Sequence, residues 1–189
     1  TDIVSCDSRQ FYKELKIGTS PPSHSQLKHV KHHFIHHKSI HDKYNVGKYE
    51  KDAIKVINNL FKEKDVLILV GGSGLYADSI MFGIDNFPEI PLDTRNNIIG
   101  SFKSEGIEAL QDKLKKLDPE YYKEVDLSNY KRIIRALEVI ELTGEKFSSQ
   151  RTNKEKQRVF QSHVMIIKSD RDKLYKRINE RVEIMIKEG

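Results

Sequence analysis

The chain has 189 residues, which is enough for one core with an insertion or for two small domains. Its hydrophobic content of 37% and charged content of 32% are those of a globular protein, and apolar runs such as 66–70 are far too short to span a bilayer. The single cysteine excludes an intrachain disulfide and a cysteine-based zinc site. The net charge of +5 weakly favours a polyanionic partner, and a cytoplasmic protein without membrane contact is the default expectation.

The first part of the chain alternates predicted strands and helices. Residues 65–70 form a continuous run of β-branched and leucine side chains, which is typical of a strand buried on both faces of a parallel sheet. A helical pattern precedes this run, and a glycine turn and a second helix follow it, which is the order of an α/β fold. The predicted elements are strands at 2–6 and 65–70 and helices at 11–15, 49–62 and 75–81.

The character of the sequence changes near residue 83. After a linker that contains two prolines, only helical patterns occur, and Gly144 lies just past the last of them, as is usual at a helix end. These helices are predicted at 94–104, 106–116, 118–124 and 129–142. The segment therefore reads as an all-helical insertion.

The last part of the chain returns to mixed patterns. Residues 147–158 are polar and basic and predict a loop, whereas 163–167 have a strand pattern. Ser169 and Asp170 are expected to cap a final helix at 171–187. The predicted domains are an α/β core at 1–83, the helical insertion at 84–145, and a return to the core, with a strand and a long helix, at 146–189.

A cluster of polar side chains follows the first predicted strand. Asp7, Ser8, Arg9 and Gln10 supply a carboxylate, a hydroxyl, a guanidinium and an amide at the carboxyl end of that strand. Open α/β sheets bind their ligands beyond these ends, so Asp7 is well placed to act as a base. From position alone, Asp7 could equally cap the next turn. The adjacent Cys6 is expected to be a buried, inert thiol.

Four segments of the chain resemble segments of one known family, in that family's order. They are 7–10 (D-S-R-Q) with Tyr12, Lys13 and 17–19 (I-G-T); 70–76 (V-G-G-S-G-L-Y); 132–139 (R-I-I-R-A-L-E-V) with Thr143 and Gly144; and the late-helix residues Arg171, Leu174, Tyr175, Arg177, Ile178, Arg181 and Met185. The family is that of the tRNA dimethylallyltransferases, or IPP transferases. The segments span nearly the whole chain, which argues against a chance resemblance.

The resemblance implies a fold and a function. The fold is an α/β, P-loop NTPase-like parallel-sheet core that carries an all-helical insertion domain. The function is transfer of a dimethylallyl group from dimethylallyl diphosphate, with Mg²⁺, to the exocyclic amine of the adenosine next to the anticodon (position 37). The tRNAs modified are those that read codons starting with U, and the product is N6-isopentenyladenosine. The implied partner is the tRNA anticodon stem-loop, and we expect a monomer.

The family's phosphate loop, G-x-x-x-x-G-K-S/T, does not occur in this chain and should precede Thr1. The chain also opens without Met in a strand pattern and stops just after a helical one. We therefore expect both ends to be cut from a longer protein, and we expect this chain alone to bind the prenyl donor poorly.

The resemblance also assigns residues to roles. Asp7 is the expected general base, which accepts a proton from the adenine amine. Arg177 and Arg181 lie four apart on one helix face and are the catalytic candidates near the diphosphate. The glycines expected to shape the turn near the phosphates are Gly71, Gly72 and Gly74. The residues expected to contact tRNA are Asp7, Ser8, Arg9, Gln10, Ser73, Arg95, Lys131, Arg132, Ile133, Ile134 and Arg135. For the basic residues, ordinary solvated surface charge is the alternative.

A histidine-rich segment departs from the family pattern. The helically spaced histidines are His29, His32, His33, His36 and His37. No cysteine or carboxylate lies among them until Asp42, so we predict no metal site. His36 stands where the family usually has aspartate, and Pro21 replaces a family lysine, which puts local RNA contacts in doubt.

Two other functions stay open. One is prenyl transfer to a free adenine nucleotide, and the other is a binding module or nucleotide kinase on a similar core. Arg95, Arg132 and Arg135 in the insertion favour a large RNA over a free nucleotide. A binding module leaves Asp7 without a role, so tRNA prenylation is the preferred interpretation.

Overall fold

A computed structural model describes residues 1–152 and 154–188, and the chain divides into two compact units. Unit 1 comprises 1–84 and 155–189, and unit 2 comprises 85–154. Each unit has its own hydrophobic core. Unit 2 contains nearly all of the predicted insertion and extends beyond its predicted end at residue 145.

Eleven elements form the described part of the chain. They are β1 (Ile3–Ser5), α1 (His24–His29), β2 (His32–His33), α2 (Val46–Leu60), β3 (Ile68–Val70), α3 (Gly74–Met81), α4 (Leu92–Leu117), α5 (Pro119–Glu124), α6 (Tyr130–Thr143), α7 (Phe147–Gln150) and α8 (Arg171–Glu188). The three strands make a parallel sheet in the order β2-β1-β3, so the fold is α/β with mostly helices. Among these described elements, no helix has the length and apolar content that crossing a membrane requires.

The core of unit 1 forms around β1 and α2. Tyr49, Ala53 and Ile57 recur at helical spacing on α2, and all three are buried in the same cluster as Val4 of the central strand. The Tyr49 hydroxyl also donates a 2.9 Å hydrogen bond to the Ser5 carbonyl. The position of α2 against the carboxyl end of β1 is therefore set by both packing and a hydrogen bond.

The outer strand β3 corrects one expectation. We expected burial on both faces, but Ile68 and Val70 are exposed, whereas Leu67 and Leu69 pack on the core. Successive side chains of a strand point to opposite faces of the sheet. Only the face that carries Leu67 and Leu69 is covered within the described residues, so an apolar run alone did not predict how many faces are buried.

Two further local predictions were wrong. Residues 11–15 form turns instead of a helix, because Phe11 is drawn into the core and Tyr12 makes a parallel bridge with Lys38. Residues 163–167 are an exposed, irregular segment instead of a strand. A strand needs a neighbour for its backbone groups, and no described strand pairs with this segment. The final helix is present as α8.

Unit 2 is all helical. α4 runs through the two predicted helices but is interrupted at Gly106, whose φ of 83° is outside the helical region. α6 is the most buried helix, and Ile133, Leu137 and Ile140 lie in the core. α6 ends at Gly144 in the left-handed conformation, with φ 72°, which confirms the predicted helix end.

The segment by which the chain leaves unit 1 is hydrogen-bonded to the segment by which it returns. The backbone N–H of Lys156 donates a 2.7 Å hydrogen bond to the Phe82 carbonyl. The side chain of Lys156 also bonds to Glu50 of α2, at 3.0 and 3.1 Å. The two passages of the chain at the border of unit 1 are therefore bonded to each other.

His37 is enclosed by aromatic rings. Its ring centroid lies 5.2 Å from Phe11, 5.1 Å from Phe34 and 5.3 Å from Tyr44. Both ring nitrogens are buried, and neither has a hydrogen-bond partner among the described residues. Burial lowers the pKa of His37 from 6.5 to about 4, because the imidazolium form would lose its hydration.

This shift predicts a pH dependence of stability. As the pH falls below 6.5, the unfolded chain takes up the proton before the folded chain does. The stabilisation is complete above this pH and is lost as the pH falls toward 4, by at most about 3 kcal/mol. We expect His37→Phe to reduce this loss, as measured by urea unfolding at pH 7.5 and 5. A loss as large as that of the parent would contradict the prediction. The exposed His24→Gln is the control.

Candidate functional site

Asp7 lies directly beyond the carboxyl end of β1, in a turn held by its own side chain. Its Oδ1 accepts hydrogen bonds from the backbone N–H groups of Arg9, at 2.9 Å, and Gln10, at 3.3 Å. This is the capping geometry that its position also allowed. Its Oδ2 lies 3.5 Å from the point that a Cβ on Gly72 would occupy. One oxygen therefore holds the turn, and the other faces the glycine turn.

Parallel pairing of β1 with β3 brings two predicted site segments together. The Cys6 N–H donates to the Val70 carbonyl at 2.8 Å, so the two strands end side by side. Beyond these ends, the Ser8 N–H donates to Ser73 Oγ at 3.0 Å, and the two serine hydroxyls lie 2.9 Å apart. Residues separated by 65 positions in the sequence thus form one polar edge next to Asp7.

The glycine turn approaches the backbone of the Asp7 turn very closely. A Cβ on Gly71 would lie 2.5 Å from the Asp7 nitrogen and 2.6 Å from the Cys6 carbonyl carbon. A Cβ on Gly74 would meet no atom within 4 Å. Neither glycine has a positive φ. At Gly71 the requirement is therefore for close approach and not for a left-handed turn.

The thiol beside this edge is not reactive. Cys6 is buried, and burial raises its pKa to about 11, which leaves almost no thiolate at neutral pH. The expected burial of the cysteine is confirmed.

Two other members of the polar segment have different environments. The Gln10 side-chain amide donates to the carbonyls of Thr19 and Ser20, at 3.1 Å each. Gln10 therefore holds the following loop, and its amide group is occupied. Arg9 is exposed at the same edge and can reach a ligand in solvent.

In unit 2, a buried carboxylate organises two of the predicted basic residues. Glu138 is only 1% exposed and accepts hydrogen bonds from Arg95 Nε at 2.6 Å and Arg95 Nη2 at 3.1 Å. Arg135 lies 3.5 Å from the same carboxylate. Hydrogen bonding to Glu138 raises the pKa of Arg95 further. Glu138 was missed as a functional residue because Arg95 is 43 positions away in the sequence.

The remaining predicted RNA contacts in α6 divide by helix face. Lys131 and Arg132 are exposed, and the Lys131 ammonium lies 5.9 Å from the centre of the Tyr130 ring. Ile133 and Ile134 are buried in the core of unit 2. Among residues 131–135, solvent therefore reaches mainly the basic side chains. A contact of Ile133 or Ile134 with tRNA stays a prediction.

The structure does not bring the two late arginines to Asp7. Arg177 and Arg181 lie on α8, which has no buried residue and no member in the core of unit 1. No contact joins them to the Asp7 edge among the described residues. The histidines likewise share no helix, since His32 and His33 form β2, and His33 Nε2 bonds to Asp2 at 2.8 Å.

Comparisons of the sequence and of the structure with known proteins find similarity to the same kind of protein. The sequence model of the IPP transferase family matches residues 10–189. The chain is 47% identical over 189 residues to the tRNA dimethylallyltransferase of Christiangramia forsetii and 46% identical over 194 residues to that of Flavobacterium johnsoniae. All of this chain is aligned in both cases, but it spans only 63% of the length of these relatives.

Two solved structures are also similar. The full-length tRNA isopentenylpyrophosphate transferase from Bacillus halodurans is 33% identical with a TM-score of 0.56, and the match covers 100% of this chain and 58% of that one. A eukaryotic dimethylallyltransferase acting on tRNA is 21% identical with a TM-score of 0.77, and the match covers 100% of this chain and 47% of that one. The second likeness concerns the fold alone.

Proposed function

Since the chain belongs to the IPP transferase family, we propose that its protein transfers a dimethylallyl group to the exocyclic amine of the adenosine next to the anticodon of tRNA. The chain spans 63% of its relatives' length, so the proposal concerns the whole protein. The single observation that carries it is the position of Asp7 beside Ser8 and Ser73, where two parallel strands end together. The proposal includes a cytoplasmic protein that acts as a monomer.

Asp7 is the general base in this proposal. Its Oδ2 accepts a hydrogen bond from the adenine amine while Oδ1 keeps the turn in place. The amine nitrogen bonds to the allylic carbon as the bond from that carbon to the diphosphate oxygen breaks, and diphosphate leaves. The proton released by the amine passes to the Asp7 carboxylate. An adenine amine is a poor nucleophile, so holding it in line supplies much of the rate.

In this proposal the diphosphate binds to a P-loop NTPase-like core. The parallel sheet supports this, because open α/β sheets bind their ligands beyond the carboxyl ends of the strands. Mg²⁺ usually takes one or two protein oxygens and completes its shell with phosphate oxygens and water. With Asp7 engaged as the base, the Ser8 and Ser73 hydroxyls are the oxygen donors at this edge that would fit such a role. When bound, the ion offsets the charge of the leaving diphosphate. Arg177 and Arg181 remain candidates for the same task.

The basic residues of unit 2 are the proposed contacts to the RNA backbone. Glu138 holds the guanidinium of Arg95 by two hydrogen bonds, so one edge of a phosphate-binding group is fixed in advance. Lys131 and Arg132 are exposed and add charge on the same helix as Arg135. Phosphate contacts of this kind position a large RNA. They have no evident use for a free nucleotide.

The proposal is tested with the protein at the full length of its relatives. It is incubated with Mg²⁺ and labelled dimethylallyl diphosphate, and either an anticodon stem-loop or adenosine monophosphate is offered. We expect label in the stem-loop and at least a ~100-fold lower rate for Asp7→Asn, because the base is lost. Asparagine can still cap the turn, so folding should be kept. Asp65→Asn, an exposed carboxylate before β3, is the control.

Three outcomes would count against the proposal. Label in the free nucleotide alone would assign the protein to prenylation of free nucleotides. Unchanged transfer by Asp7→Asn would remove Asp7 as the base. If neither acceptor were labelled, the protein would share the fold of the family but not its activity.

A further inference from the structure

A basic cleft lies in unit 1, between the loop that precedes α2 and the first turns of that helix. It is open to solvent, with a volume of about 470 Å³, and four lysines line it: Lys38, Lys43, Lys48 and Lys51. Two aspartates, Asp42 and Asp52, are the only acidic residues in the lining, so the cleft carries a positive net charge.

Both aspartates are already engaged by hydrogen bonds. Asp52 accepts a 3.0 Å hydrogen bond from the Tyr44 hydroxyl, and Asp42 accepts a 2.8 Å hydrogen bond from the Ser39 N–H. These bonds hold the loop to itself and to α2. The carboxylates therefore shape the cleft and keep their charge, and the excess of four lysines over two aspartates makes its lining net positive.

The cleft is tied to the Asp7 edge by short hydrogen bonds. The Lys38 N–H donates to the Phe11 carbonyl, and the Lys13 N–H donates to the Lys38 carbonyl, both at 2.9 Å. On the other side, Tyr49 of α2 is bonded to Ser5 of β1. The backbone of Lys38 is therefore bonded to the segment that follows Asp7, and α2, which carries Lys48 and Lys51, is bonded to the strand that precedes it.

We propose that this cleft binds backbone phosphates of the RNA whose base enters at Asp7. The inference deepens the proposed function and rests on it for the identity of the RNA. Lys43, Lys48 and Lys51 are exposed around an open cleft, which suits a polymer backbone passing across the surface. Lysine acts toward phosphate as a point charge, so these contacts add affinity and register without reading the sequence.

The test compares two double variants of the full-length protein. Lys43→Gln with Lys51→Gln removes two charges from the cleft, and Lys55→Gln with Lys62→Gln removes two exposed charges outside it. Binding of an anticodon stem-loop is measured between 50 and 300 mM salt. For the cleft variant we expect affinity about 10-fold lower at low salt, with a salt slope smaller by roughly 1.4–1.8. The control variant should change each quantity far less.

The outcomes separate this inference from the proposed function. If the two double variants had equal affinity for the stem-loop and equal salt slopes, the proposal that the cleft binds RNA would be wrong. Loss of inorganic diphosphate binding in the cleft variant, with stem-loop binding unchanged, would also overturn it and indicate a site for a free anion. If the parent protein bound the stem-loop through the cleft but did not prenylate it, the proposed function would be wrong and the proposal of RNA binding by the cleft would be supported. If the parent binds no RNA, both fail.

Discussion

Gly71→Ala should lower the free energy of unfolding by about 3 kcal/mol or more, because the new methyl group would meet backbone and not a movable side chain. The nearest atoms to that Cβ would be the Asp7 nitrogen at 2.5 Å and the Cys6 carbonyl carbon at 2.6 Å. Relief would require β1 and β3 to separate at their carboxyl ends, where the Cys6 N–H bonds to Val70. Urea unfolding of the purified variant measures the loss.

A matched variant lies three residues away. A Cβ on Gly74 would meet no atom within 4 Å, and Gly74 is the first residue of α3. Gly74→Ala should therefore leave stability unchanged or raise it by a few tenths of a kcal/mol, because alanine restricts the unfolded chain more. Equal losses for the two alanine variants would show that close approach is not the reason for glycine at position 71.

Glu50→Ala should cost about 3–5 kcal/mol of unfolding free energy, the range expected when a buried ion pair loses one partner. Glu50 is buried and accepts a 2.7 Å hydrogen bond from Arg158 and two from Lys156. The Arg158 side chain, 11% exposed, also donates to the carbonyls of Ser79 and Ile80. Without the carboxylate its positive charge would stay buried and uncompensated.

Lys156→Met provides the comparison for this prediction. The Lys156 side chain is 34% exposed, so the loss of its ion pair is partly made up by water. We expect it to cost about 1 kcal/mol or less. Urea unfolding of both variants at neutral pH measures the difference. If Glu50→Ala were no more destabilising than Lys156→Met, the buried Arg158 would not depend on Glu50.

The local patterns of the sequence were sufficient for most helices but not for the sheet. α2 and α6 follow from the spacing of their apolar residues, and the end of α6 follows from Gly144. The apolar runs at 65–70 and 163–167 have similar patterns, yet one is a strand with an exposed face and the other is irregular. Burial and pairing depend on what lies beside a segment, which its own residues do not encode.

The site was predictable in its parts and not in its assembly. The motifs pointed to Asp7 and to the glycine turn separately, but the bond between Ser8 and Ser73 exists only because β1 and β3 pair in parallel. In α6, the basic residues were visible in the sequence. The burial of Ile133 and the convergence of two arginines on Glu138 required the packed helices.

The hydrogen bond between Lys156 and Phe82 has a consequence for how such a protein can evolve. It joins the two points at which the chain leaves unit 1 and re-enters it, so these two points are held next to each other by unit 1 itself. Domains with adjacent ends can be inserted into a host or exchanged without rethreading it. We therefore expect unit 2 to be exchangeable, so that descendants could lengthen, shorten or replace it while the Asp7 edge of unit 1 is inherited intact.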